Sequence, residues 1–236
     1  MIDFDKMQKL AGHYGVSLSR NQMIQLDTYA ELLVEWNKKM NLTAITDSDG
    51  IMARHFEDSM APLKFIDIGS GSKVIDVGTG AGFPGMVLKI VRPDLDMTLL
   101  DSLNKRLLFL NDVSEKIKAE VTTVHLRAEE GGKMPAYRER YDFAFARAVS
   151  NLRELAEYCL PYVKTGGSFV SMKGPAISEE LNAARPGIGT LGGKVKSVTE
   201  YKISDKSERT VILIEKIKNT PLQYPRPSAK IQKKPL

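Results

Sequence analysis

The sequence predicts an α/β fold: a mostly parallel, seven-stranded sheet covered by helices and closed by an antiparallel hairpin, with a small helical region in front. Three observations predict it. From Lys73 onward, short apolar runs alternate with segments that read as helices, the texture of a parallel sheet with helical crossovers. The first run, Val74-Ile75-Asp76-Val77, opens directly into Gly78-Thr79-Gly80-Ala81-Gly82-Phe83-Pro84-Gly85. The last two runs are joined by only Ser204-Asp205-Lys206-Ser207-Glu208. That is too short for a helical crossover, so they must pair as a hairpin.

In chain order, Phe4, Met7, Leu10 and Ala11 fall at helical spacing and predict a short helix over 3–14. Ser19 and Gln22 form a capping-box pattern that opens a helix to about Met40. Its Met23, Leu26, Ala30, Leu33 and Trp36 lie toward one side and read as packing. Asn41-Leu42-Thr43 ends it, and Thr46 to Asp49 caps a further helix over about 50–61. These elements make an N-terminal helical region of residues 1–64. In residues 65–220, strands are expected at 73–77, 96–101, 120–125, 141–146, 166–172, 195–203 and 209–217. Helices are expected near 84–92, 103–118, 150–161 and 176–184, the first of them starting at Pro84. Residues 221–236, rich in proline and lysine, read as an extended basic arm.

Composition narrows the class. The chain has 236 residues, 42% hydrophobic and 27% charged, enough to bury a core. No apolar run reaches the length of a membrane span and the N-terminus lacks the basic start of a signal peptide, so a cytoplasmic protein with no membrane partner is expected. Cys159 is the one cysteine, which excludes an internal disulfide or a cysteine metal cluster. The net charge of +5 is uneven: residues 1–64 carry −2, residues 65–215 carry +1, and residues 216–236 carry +6. A basic tail attracts nucleic acid by releasing counterions from phosphates; a solubilising end is the plainer alternative.

A glycine turn between strand and helix lets a ligand approach the backbone closely, with exposed N–H groups beyond it. Gly78, Gly80 and Gly82 spell G-x-G-x-G, common in S-adenosylmethionine sites, while Gly80, Gly82 and Gly85 spell the dinucleotide pattern G-x-G-x-x-G. Asp101, 23 residues beyond Gly78 at the end of the second strand, suits both ribose hydroxyls of either cofactor, the alternative being an exposed strand-end aspartate with no ligand. After the third strand, Ala128-Glu129 can meet an adenine edge, or is a solvated turn. Arg147, after the fourth, lies by strand order beside the reacting group, or is a salt-bridged strand end. His125 and Cys159 read as structural. Arg54-His55-Phe56-Glu57-Asp58-Ser59 is dense in polar groups and reads equally as a cleft face or a salt-bridged surface. A mostly parallel sheet ending in a hairpin is the class I methyltransferase arrangement, which favours the first glycine pattern.

Several stretches together resemble one family. Trp36-Asn37-Lys38-Lys39-Met40-Asn41-Leu42-Thr43, Arg54 to Ser59, Asp76 to Gly85, Arg127-Ala128-Glu129, Arg147-Ala148-Val149 and Tyr224-Pro225-Arg226 occur in the order found in the bacterial small-subunit ribosomal RNA guanine-N7 methyltransferases, the glucose-inhibited division protein B family. The resemblance covers nearly the whole chain. It implies a Rossmann-like class I fold and S-adenosyl-L-methionine as cofactor. The implied reaction is methylation of N7 of one guanine in the 530 loop of 16S ribosomal RNA, guanosine 527 in the usual numbering. The implied cofactor positions are Gly78, Phe83, Ala128, Glu129 and Arg147, joined by Thr79, Gly80, Gly82 and Asp101 from the turn and the second strand. No metal is implied. The expected RNA surface is the cleft face with Lys164, Lys173, Lys194 and Lys196 and the tail residues Arg226, Lys230, Lys233 and Lys234. The partner is 16S ribosomal RNA or the small ribosomal subunit, bound by a monomer. The tail departs from the family pattern: Arg226 is followed by Pro227-Ser228-Ala229-Lys230, without the usual glycine. Two other readings stand beside this one, an NAD(P)-dependent oxidoreductase from the overlapping glycine pattern and a non-catalytic ribosome-assembly protein that binds RNA.

Overall fold

The computed structural model describes residues 1–147 and 150–236. Seven strands form one sheet: β1 (Lys73–Val77), β2 (Asp96–Asp101), β3 (Thr122–His125), β4 (Tyr141–Arg147), β5 (Val163–Lys173), β6 (Gly193–Lys202) and β7 (Glu208–Lys216). Their order is β3-β2-β1-β4-β5-β7-β6. The five strands β1 to β5 pair in parallel, and β7 lies antiparallel to β5 and β6. The hairpin closes the sheet as its short connection requires. β5 starts three residues earlier than expected, at Val163, which pairs with Tyr141 before the register shifts. The chain runs outward from β1 through β2 to β3 and then returns to place β4 on the other side of β1. The carboxyl ends of β1 and β4 thus flank the point where strand order reverses, where open α/β sheets hold ligands.

Alternation along the strands divides two cores. Val74, Leu99, Phe145 and Val170 face one side, whereas Ile75, Leu100, Ala144 and Phe169 face the other. The first side is covered by helices Phe4–Gly12, Arg20–Met40, Gly85–Val91 and Asn104–Ile117, the second by Leu152–Cys159 and Ser178–Thr190. The N-terminal helices therefore share a core with the sheet. Tyr29 is fully buried against Phe56, Phe83 and Phe109. Trp36 Nε1–H donates to Asp112 at 2.8 Å, and Gln22 donates to the Ile90 carbonyl at 2.8 Å. The capping box of Ser19 and Gln22 is formed, and Asn41 ends that helix in the left-handed conformation, φ 49°.

Four local expectations are corrected. The helix over 50–61 is not a regular α-helix: Ile51–Glu57 is a π-helix between short α-helical turns. The wider turn sends Ile51, Met52 and Phe56 into the core while Glu57 and Asp58 meet the distal hairpin. Pro84 caps the helix that follows rather than lying inside it, so the helix begins at Gly85. Helix Ser178–Thr190 continues past the expected end and through Pro186. There Gly187 packs so closely on Leu236 that an added Cβ would sit 2.8 Å from the leucine Cβ.

The fourth correction concerns the tail, which is folded back rather than extended. Tyr224 and Ile231 are buried, and Ser228–Lys233 forms a short helix. Arg138 donates to the Thr220 and Tyr224 carbonyls at 2.6 and 2.8 Å. The Arg153 guanidinium donates to the Pro235 and Leu236 carbonyls. Apolar anchors at Tyr224, Ile231 and Leu236 outweigh the composition that makes the segment look solvated.

Candidate active site

The glycine turn is built around Asp76. Its carboxylate is fully buried, and Oδ2 accepts from the Thr79 hydroxyl at 2.7 Å and the Gly85 N–H at 2.9 Å. Oδ1 has no hydrogen-bond partner among the described residues. Burial pushes this carboxyl up to about 6. Gly78, Gly80 and Gly82 have φ of 73°, 61° and 94°, where a side chain would be strained. The amides expected to be exposed are occupied: Gly78 and Thr79 donate to the Leu100 carbonyl, Gly80 to Asp101 Oδ2, and Gly82 and Phe83 to the Thr79 carbonyl. The turn thus offers close approach at Gly78, where an added Cβ would touch nothing within 4 Å. Gly85, the third glycine of the dinucleotide pattern, is pressed against Asp76 and Leu99 and serves packing.

Around this turn lies a hollow of about 260 Å³. Gly78, Asp101, Ala128 and Glu129 line it, from the ends of β1 and β2 and the segment after β3. Asp101 is buried and accepts from the Gly80 N–H at 2.9 Å and the Leu103 N–H at 2.8 Å; the Arg106 guanidinium reaches it at 3.3 Å. The backbone bonds fix the carboxylate, whereas the side chain of Arg106 that reaches it is half-exposed. An adenosine moiety fits this donor and acceptor set.

Phe83 and Arg147 are placed apart from that hollow, in a cluster that the sequence did not assemble. The Phe83 ring stacks on Tyr29 at 5.3 Å and on His55 at 4.3 Å, and the Arg147 guanidinium carbon lies 5.0 Å from its centroid. Arg147 donates to the Arg54 carbonyl at 3.0 Å and Asp58 Oδ2 at 3.1 Å. Asp58, itself buried, also accepts from Tyr201 at 3.0 Å. Burial, then Arg147, push the His55 imidazole down to about 3. His55 is therefore neutral, with Nε2 on the Thr43 hydroxyl at 2.9 Å. Arg54 is exposed and pairs with Asp205, whereas His55 to Ser59 form a buried polar node linking the π-helix, β4 and the distal hairpin. Its signal was present in the sequence as polar residues interleaved with Met52 and Phe56, but which side faced the cleft depended on the π turn. Ala148 and Val149, which carry part of the family resemblance, lie outside the described residues.

The remaining residues fall as follows. His125 is exposed, with Nε2 against the Ser102 carbonyl at 3.1 Å. Cys159 is fully buried, which holds its thiol well above the usual range and makes it a poor nucleophile. Thr79 turns its hydroxyl inward to Asp76. Of the residues expected on an RNA surface, Lys230, Lys233 and Lys234 are exposed, as are Lys164, Lys194 and Lys196. Two are turned inward. Lys173 is buried in an ion pair with Glu180 at 2.8 Å and donates to the Ser150 carbonyl. Arg226 pairs with Glu157 at 2.6 Å, because that carboxylate is fully buried and needs a cation. Among the described residues, no helix is long and apolar enough to cross a membrane, and no group of three or more His, Cys, Asp or Glu is placed to hold a metal.

Residues 22–211 match the family model for rRNA small subunit methyltransferase G. The chain belongs to this family. It is 45% identical to ribosomal RNA small subunit methyltransferase G of Clostridium perfringens (strain SM101 / Type A), over 99% of this chain and 98% of that one. It is 50% identical to that of Clostridium novyi (strain NT), over 92% and 88%. Among solved structures, a 16S rRNA (adenine(1408)-N(1))-methyltransferase from Catenulisporales acidiphilia superposes with a TM-score of 0.53 at 14% identity, covering 64% of this chain and 88% of that one. That likeness speaks to the fold alone. The methyltransferase G family and the class I sheet together make methyl transfer the reaction class and S-adenosyl-L-methionine the cofactor. The dinucleotide reading of the glycines is thereby overturned, in agreement with the packing role of Gly85.

Proposed function

We propose that the chain transfers the methyl group of S-adenosyl-L-methionine to N7 of guanosine 527 in the 530 loop of 16S ribosomal RNA. The observation that carries this reading is the make-up of the Phe83 cluster: a guanidinium and a neutral imidazole packed on a ring that His55 and Tyr29 already cover, with the Asp58 carboxylate paired, so that the cluster offers no free general base. Guanine N7 presents an in-plane lone pair and has no proton to lose, so its methylation needs alignment and no general base. His55 is not a competing base there, since burial and then the guanidinium beside it make it a poor proton acceptor. Bound S-adenosyl-L-methionine supplies an electrophilic methyl group on a sulfonium. Gly78 admits it closely, Asp101 accepts from its ribose hydroxyls, and Ala128 and Glu129 face its base. Arg147 orients cofactor or substrate, its angle fixed by Asp58. Holding reactants in line in this way can lower a barrier by about 7–11 kcal/mol.

The reading extends to the rest of the molecule. Residues 1–64 support the cleft, 65–220 carry the chemistry, and exposed lysines on β6 and the tail, Lys194, Lys196, Lys230, Lys233 and Lys234, meet phosphates of the RNA or of a small-subunit particle. The protein works as a cytoplasmic monomer. Labelled methyl transfer to unmodified 16S RNA and to 30S particles, followed by chemical cleavage at N7-methylguanine, tests the assignment; label at another base or position overturns it. Arg147→Ala is expected to lower turnover about 10–100-fold, the worth of one hydrogen bond to a charged group. Full turnover with unchanged cofactor affinity would remove Arg147 from the site.

A further inference from the structure

The hollow that holds Gly78, Asp101 and Glu129 has a wall from an unexpected source. Ser228, from the folded-back tail, lines it beside Tyr158, and the two hydroxyls lie 3.0 Å apart. We propose that the C-terminal segment completes the cofactor site, with Ser228 and Tyr158 binding the adenosine end. This rests on the hollow being the S-adenosyl-L-methionine site.

The placement is fixed by structure on both sides of Ser228. Glu157, next to Tyr158, accepts from the Arg226 backbone N–H at 2.8 Å and from its guanidinium at 2.6 Å. Beyond Ser228, Ile231 is fully buried and the Pro235 and Leu236 carbonyls are held by Arg153. Tyr158 and Arg153 both belong to helix Leu152–Cys159. The tail is thus bound along that helix, and Ser228 has no freedom to swing away without breaking a buried ion pair.

The chemistry matches an adenine edge. Of the two hydroxyl hydrogens, one lies between Tyr158 and Ser228, leaving the other O–H as a donor toward the hollow. Glu129, on the same hollow, supplies a carboxylate acceptor. An adenine edge presents an amino donor beside a ring-nitrogen acceptor, the complement of that pair. The tail therefore has two faces with separate tasks: exposed Lys230, Lys233 and Lys234 outward, and Ser228 inward on the cofactor.

The test is calorimetric binding of S-adenosylhomocysteine and of adenosine to the full chain without RNA. Ser228→Ala is expected to weaken both about 3–10-fold, in the range of one hydrogen bond. Ser228→Phe, which puts a ring into the hollow, is expected to weaken both more than tenfold. Gln232→Ala, exposed on the same short helix, is the control and should bind as the wild type. If wild type binds neither ligand, the reading of the hollow itself fails. If wild type binds and Asp101→Ala does not, yet Ser228→Phe binds normally, the hollow stands and the tail assignment alone is overturned. Equal losses in Gln232→Ala would also overturn it, since they would report general loosening of the tail.

Discussion

Replacing Arg226 by alanine should destabilise the whole protein and release its tail. Glu157 is fully buried, and its two oxygens receive the Arg226 backbone N–H at 2.8 Å, Nε at 2.9 Å and a terminal nitrogen at 2.6 Å. Removing one partner of a buried pair typically costs about 3–5 kcal/mol, because the remaining charge is left without compensation. Here the arginine side chain is 22% exposed. Water can enter the vacated space, and the backbone N–H remains, so the expected loss is nearer 2–3 kcal/mol. For a chain of this size each kcal/mol lowers Tm by about 2–4 °C, giving a fall of about 4–12 °C. Differential scanning calorimetry of Arg226→Ala measures it, and limited proteolysis should show new cleavage between residues 221 and 236. The double variant Glu157→Leu with Arg226→Ala should recover much of the loss, since it leaves no buried charge. An unchanged Tm for Arg226→Ala, or a double variant no better than the single, would refute the claim that this pair anchors the tail.

Three further outcomes are expected. Gly85→Ala puts a Cβ 2.9 Å from Asp76 and into Leu99, and overpacking of this kind should cost about 1–3 kcal/mol in urea unfolding with an unaltered m value. Asp76 is raised by burial to about 6, so its contribution to stability is full below about pH 4 and falls as pH rises to about 6; the Tm difference between wild type and Asp76→Asn should move across that window and stay flat above it. Replacing Lys230, Lys233 and Lys234 together by glutamine should weaken binding to 16S RNA and reduce the slope of log affinity against log salt by about 2–3, measured by filter binding; an unchanged slope would place the RNA elsewhere.

The elements were legible where local chemistry decides them. The Ser19–Gln22 capping box, the hairpin forced by five residues, and the glycine turn that follows the first strand each act over a short stretch of chain, and the structure bears out all three. The π-helix was not legible, because it answers to partners far along the sequence: Ser204 on Glu57 and Tyr201 on Asp58 lie more than 140 residues away. The tail misled for a related reason. Its lysines and prolines are what a solvated arm contains, and the three apolar residues that dock it are spread over thirteen positions without a period. The site split in the same way. Gly78, Asp101 and Glu129 could be placed by strand order, but Tyr158 and Ser228 meet only through the fold, and His55 needed the stacking of Phe83 to declare its environment.

The occupied amides of the glycine turn have a consequence for how ligand binding is divided between folding and recognition. Six N–H groups from Gly78 to Gly85 already have protein acceptors, so the turn holds its shape without a guest. Fixing a backbone residue takes about 1–2 kcal/mol of entropy. For eight residues, that would drain most of the affinity of a small molecule if it fell due on association. Here it is met when the chain folds, so a nucleoside bound at this turn would not have to order it.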